Sequence, residues 1–244
     1  MGRVNFAGAR LAAAALVLGL CAGVGLTSAV AADLPMNGRW KPGVNYTLIS
    51  PAQPTSAPPG KVQVMEFFYL ACPFCHALEP YMLAWRKSKP TYVQFVRVPV
   101  MWAPLQVADA RLFYTLEAVG RDDLVETAFQ TLHRLEQAAG GDEDVMIGDT
   151  PAKTLALQAA FAQRHGVASG MFSNAYHSFD VHVELGRARQ LGQLYEITHT
   201  PTIVVDGRYK TDVAKAGGER QLIELIGFLT RWDHAHLPAE AAAH

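Results

Sequence analysis

The stretch Val62-Gln63-Val64-Met65-Glu66-Phe67-Phe68-Tyr69-Leu70-Ala71-Cys72-Pro73-Phe74-Cys75-His76 decides the fold. Val62 to Leu70 is rich in β-branched and aromatic residues and apolar on both faces, as a strand buried in the centre of a sheet must be. From Cys72 the period changes, and Leu78, Met82 and Trp85 recur at helical spacing. Pro80 is expected to kink this helix, because an interior proline removes a backbone donor and crowds the preceding turn. Arg86, Lys87 and Lys89 close it, where cations suit the negative end of the helix dipole. Tyr92 to Val98 reads as a second strand, stopped by Pro99. The unit is therefore βαβ, with a Cys-x-x-Cys pair at the helix entrance.

That placement carries chemistry. A thiolate, not a thiol, attacks disulfides and leaves them, so a redox site must lower a cysteine pKa. A helix N-terminus does so, through unpaired N–H groups and the positive end of the dipole. Cys72 is then expected to be the exposed sulfur that exchanges with substrate. Cys75, one turn further in and more buried, is expected to resolve the mixed disulfide.

The ends and the composition narrow the setting. Arg3 and Arg10 precede a nearly unbroken apolar run, Leu11 to Leu26, and Ala29-Val30-Ala31 supplies small residues for cleavage. Residues 1–31 therefore read as a cleaved secretory signal. The run is short for the roughly 20 residues of a spanning helix. A lipid anchor at Cys21 is disfavoured by Leu20, where such signals want a small residue. No second long apolar run follows, so a soluble mature protein is expected. Export makes a structural disulfide the usual use of cysteine. Yet a mature chain of roughly 213 residues, half of them hydrophobic, can build a core without staples. A bridge across so short a loop also constrains the unfolded chain little. The whole chain has 21 basic and 22 acidic residues. No basic stripe is present, which argues against nucleic acid as a partner.

After the βαβ unit the pattern is helical from Trp102 to Tyr195. Leu112, Leu116 and Val119 mark one stretch, and Leu124, Ala128, Leu132 and Leu135 another. Gly140 to Asp149 is a polar loop; Thr150 then caps a helix with Pro151 at its first position. Further helical runs cover Ala168 to Tyr176 and Phe179 to Leu194. Strands return at Pro201 to Val205, and Asp206-Gly207 turns the chain into Arg208 to Thr211. Glu219 to Trp232 is an amphipathic helix. Before the βαβ unit, a polar lead holds one short strand around Tyr46 to Ile49.

Glu66 through His76 resembles the active-site stretch of the thioredoxin superfamily, and of the periplasmic DsbA-type thiol:disulfide oxidoreductases in particular. Thr200-Pro201-Thr202-Ile203-Val204-Val205-Asp206-Gly207-Arg208-Tyr209 resembles that family's cis-proline strand and hairpin, and a helical block sits between the two. The likeness spans roughly Tyr46 to Trp232. It implies an α/β chain with a thioredoxin fold and an inserted all-helical domain. The expected division is 32–102 and 197–235 as the two thioredoxin-like parts, 103–196 as the insertion, and 236–244 as a frayed tail. It also implies a cis Pro201 with Thr200 facing the sulfurs, and a buried Glu66 tuning Cys75 or accepting its proton. Pro73, Phe74 and His76 are the other residues expected to tune or position the site. Phe74 departs from the family's best-known members, which carry a histidine there able to donate toward the first sulfur. No cofactor is implied beyond the Cys72–Cys75 disulfide. The implied partners are folding exported proteins with free thiols and a DsbB-like, quinone-linked membrane oxidase. The implied compartment is the periplasm.

Other chemistries fit less well. Cys72-x-x-Cys75-His76 also matches the c-type haem attachment pattern, which predicts neither the preceding buried strand nor the Thr200-Pro201 hairpin. A zinc site needs two further ligands, and the pairs His177/His182 and His234/His236 lack companions, so no metal is expected. Asp142-Glu143-Asp144 lacks the later ligands of a calcium loop. Within redox chemistry a disulfide isomerase or reductase is the alternative. Periplasmic isomerases of the superfamily add an N-terminal dimerisation domain, and the short lead here favours a monomeric oxidase. A thiol-dependent chaperone or binding module using the surface around Phe74 is the non-enzymatic alternative.

Overall fold

The structure is a computed structural model that describes residues 34–138 and 146–237. The stretch read as a secretory signal, with Cys21, lies outside the described residues, as do the acidic run 142–144 and the tail beyond residue 237.

In chain order the elements are β1 (Thr47–Leu48), β2 (Val62–Phe68), α1 (Pro73–Ser88), β3 (Val93–Pro99) and then the helices α2 (Pro104–Ala118), α3 (Leu124–Ala138), α4 (Pro151–Arg164), α5 (Ser169–Tyr176) and α6 (Phe179–Leu194). The chain returns to the sheet with β4 (Thr202–Val205) and β5 (Tyr209–Asp212), and ends on α7 (Val213–Ala216) and α8 (Glu219–Ala235). One sheet results, in the order β1-β5-β4-β2-β3. The β2–β3 pair is parallel, as a βαβ crossover requires, and the other pairs are antiparallel. This is the thioredoxin fold with five helices inserted between β3 and β4.

All seven residues of β2 are buried, which explains the apolar character of both its faces. On one side Val62, Val64, Ile203 and Val205 meet Leu78 and Met82 of α1 and Leu222, Leu225, Ile226 and Leu229 of α8. On the other, Met65, Phe67 and Val204 share a core with Phe113, Phe129, Phe161 and Phe172 of the inserted helices. Burying each such side chain stabilises the fold by about 1.5–3 kcal/mol.

Several boundaries have local causes. β2 stops at Phe68, two residues before the apolar run ends, because the chain turns there: the Cys72 N–H donates to Tyr69 C=O at 3.1 Å. Pro99 lies inside β3 as its last residue, opposite Phe68. β3 is an edge strand, so a missing donor is tolerated. The β4–β5 turn has positive φ at both Asp206 (49°) and Gly207 (64°), the geometry of a primed two-residue hairpin. Gly207 is required twice over, since a Cβ there would come within 2.1 Å of Gln53 O. Helix α7 has no hydrophobic period to announce it. Asp212 caps it by accepting from the Lys215 N–H at 2.7 Å, and Gly217 ends it at φ 92°.

Candidate active site

The expected residues converge at the end of β2. Cys72 is the N-cap of α1, with φ −73° and ψ 115°, and Pro73 fills the first turn, where its missing N–H is harmless. The Cys72 Sγ accepts from the Cys75 N–H at 3.2 Å. It also lies 3.3 Å from Thr200 Oγ1 and 3.9 Å from Thr200 O. The Thr200–Pro201 peptide is cis, and Pro201 is buried. Both cysteines are free thiols.

One expectation is corrected. Cys72 is not exposed: it is 2% accessible, against 0% for Cys75. The order is as expected, with Thr200 Oγ1 in contact with the Cys72 sulfur. Phe74, by contrast, stands 71% exposed beside it.

Electrostatics separate the sulfurs. Cys72 is lowered from the ordinary thiol value to about 7, first by the hydrogen bond from the Cys75 side chain, then by Thr200 and the Cys75 and Phe74 N–H groups, against burial. Cys75 is pushed well up, chiefly by burial, then by its bond to Cys72 and the charges of Cys72 and Glu66. Where the pair ionises, its negative charge falls on Cys72.

Glu66 is fully buried on β2, in direct register with Arg97 on β3. Arg97 Nε donates to Glu66 Oε2 at 3.0 Å, and its Nη2 donates to Glu79 Oε2 of α1. The guanidinium also lies over Phe68, 5.4 Å from the ring centre, and Phe129 at 5.5 Å. Two buried carboxyl groups thus share Arg97, and Arg86 Nη1 lies 4.0 Å from Glu79 Oε1. Burial first, then the charge of Glu66 and contact with Glu126, raise Glu79 to about 8, against the pull of Arg97. Glu79 therefore keeps a proton at neutral pH. Sequence reasoning found Glu66 and missed Arg97 and Glu79. The signal was present: a lone arginine in the otherwise apolar end of a strand, and an acid next to Leu78 on the inward face of a helix.

His76 is half-buried, and its ring stacks on that of His133 of α3, with centroids 4.3 Å apart. An axial haem ligand would instead have to face an open pocket. Among the described residues, no group of three or more histidine, cysteine or acidic side chains is arranged to hold a metal.

Fold and site together define a thiol:disulfide oxidoreductase. No family model matches the sequence, but individual proteins do. The chain is 30% identical over 194 residues to the thiol:disulfide interchange protein DsbA of Pseudomonas aeruginosa, covering 79% of this chain and 85% of that one. It is 33% identical over 217 residues to the DsbA of Burkholderia cepacia, covering 88% and 92%. The crystal structure of the Pseudomonas aeruginosa DsbA superposes with a TM-score of 0.70 at 29% identity, over 81% of this chain and 96% of that one. The chain belongs to the DsbA family of thiol:disulfide interchange proteins.

Proposed function

We propose that this protein is a periplasmic dithiol oxidase that passes its Cys72–Cys75 disulfide to exported proteins. The observation that carries the reading is the cradle around Cys72 Sγ, formed by the Cys75 N–H and Thr200. It favours the sulfur as a thiolate and hence as a leaving group.

In the oxidised protein a substrate thiolate attacks Cys72 Sγ, a substrate–Cys72 bond forms, and Cys75 leaves and takes up a proton. A second substrate thiolate then attacks the substrate sulfur of the mixed disulfide. Cys72 leaves as a thiolate into its cradle. Two electrons have moved from substrate to protein. Thr200 and the cis Pro201 loop offer backbone groups to an extended substrate chain, and Phe74 adds an apolar contact. Glu66 raises Cys75 and keeps it protonated while Cys72 carries the charge. His76 and Pro73 hold the turn.

Reoxidation falls to a quinone-linked membrane oxidase of the DsbB kind, and the protein works as a monomer. The division into 32–102, 103–196 and 197–235 is supported by the strands and helices that fall in each part. The N-terminal signal, read from sequence, supports the compartment, and no described helix is long and apolar enough to cross a membrane.

Equilibration with glutathione buffers tests the reading. A potential well above thioredoxin's supports an oxidase; one near about −270 mV sinks it in favour of a reductant.

A further inference from the structure

Leu70 and Ala71 lie past the end of β2 and just before Cys72, so neither has a partner in the sheet ladder. Both are buried, at 1% and 6% exposure. A buried peptide group must be satisfied somewhere, and here the partners come from outside the thioredoxin frame. The Ala71 N–H donates to Asp109 Oδ2 of α2 at 3.0 Å. His133 Nε2 of α3 donates to Leu70 C=O at 3.1 Å. Those two backbone groups belong to one peptide unit. It is gripped at both ends by buried side chains from two different helices of the insertion. Since a carbonyl can only accept, His133 Nε2 must be the donor in this contact. The same imidazole stacks on His76, one residue past Cys75. The insertion thus reaches the redox turn on both sides.

The tilt of that peptide plane sets where the Cys72 sulfur falls. Its 3.2 Å contact to the Cys75 N–H and 3.3 Å contact to Thr200 Oγ1 both weaken steeply with angle. We propose that Asp109 and His133 are positioning residues for the exchange reaction: by fixing the Leu70–Ala71 peptide they hold the Cys72 sulfur between the Cys75 amide and Thr200. This rests on Cys72 being the exchanging sulfur.

Paired variants test it. Asp109→Asn keeps an acceptor and Asp109→Ala does not; both are uncharged, so their difference does not come from the lost charge. His133→Gln keeps a donor, whereas His133→Phe keeps a ring against His76 and loses the donor. Each reduced protein is titrated by thiolate absorbance and equilibrated with glutathione, and its thermal unfolding is recorded separately. The Ala and Phe variants should raise the Cys72 midpoint by about one pH unit relative to their partners. The glutathione equilibrium should move about tenfold toward the disulfide form, equivalent to about 30 mV. Equal midpoints and equilibria within each pair overturn the proposal, even where the Ala or Phe variant melts earlier. If Asp109→Ala does not fold, the His133 pair decides. Failure of the unmodified protein to exchange with glutathione overturns the assignment of Cys72 instead.

Discussion

Cys72 and Cys75 sit one turn apart on the same helix in opposite surroundings. Around Cys72 the nearest polar neighbours, the Cys75 N–H and the Thr200 hydroxyl, can donate to a thiolate. Cys75 lies deeper, where burial and the charge of Glu66 oppose a second anion. Glu66 in turn belongs to a triad in which two acids share Arg97. The difference teaches that a helix start alone does not make an oxidant. The neighbouring sulfur must also be kept from competing for the charge.

The sharpest break of this contrast is to remove each sulfur in turn. Cys72→Ser should abolish exchange with a thiol substrate, whereas Cys75→Ser should accumulate a long-lived mixed disulfide on non-reducing gels. The reverse pattern would exchange the roles. Next in size is Arg97→Met, which takes from the buried Glu66 and Glu79 the donor they share. Breaking a buried ion pair from one side costs about 3–5 kcal/mol, read by urea denaturation; a loss under about 1 kcal/mol would mean that the acids are not held by Arg97.

Glu79 offers a pH test. Its folded value of about 8 exceeds the ordinary 4.5, so the stability linked to it is complete below about pH 4.5 and is lost as pH rises through 8. The slope is at most about 1.4 kcal/mol per pH unit. Glu79→Gln should flatten the stability profile between pH 5 and 8, and an unchanged slope would place the proton elsewhere.

Two smaller effects concern Cys72 itself. Its alkylation by iodoacetamide should titrate with a midpoint near the folded value of about 7, with Cys75 unmodified. Thr200→Val should raise that midpoint by a fraction of a unit, because it removes a donor worth about 1 kcal/mol. Phe74→His should lower it by a similar fraction by adding a donor; no change would mean that residue 74, 71% exposed, points away from the sulfur.

Much of this molecule is written in local pattern. Periodicity marked β2 and the inserted helices within a few residues, and Thr150-Pro151 marked the start of α4. The Cys-x-x-Cys and Thr200-Pro201 segments marked the two walls of the site. What stayed hidden was contact between distant residues. Arg97 and Glu79 are charged, and charge alone reads as exposure until a partner across the sheet is known. Asp109 and His133 lie on helices whose spacing shows an inward face but not which peptide it meets. The Cys72 sulfur meets Thr200, 128 residues away. No local signal for α1 carries that information.

The same separation has a consequence for a newly made chain. Synthesis delivers Cys72 and Cys75 long before Thr200, and β4 pairs with β2 only after five helices have been laid down between them. Closing such a loop becomes costlier only slowly with length, and the intervening helices make mostly local contacts that form quickly. Until that closure Cys72 lacks its contact with Thr200. The Thr200 part of the stabilisation of Cys72 therefore waits on a contact across the whole inserted block, whereas the Cys75 part comes with the helix start.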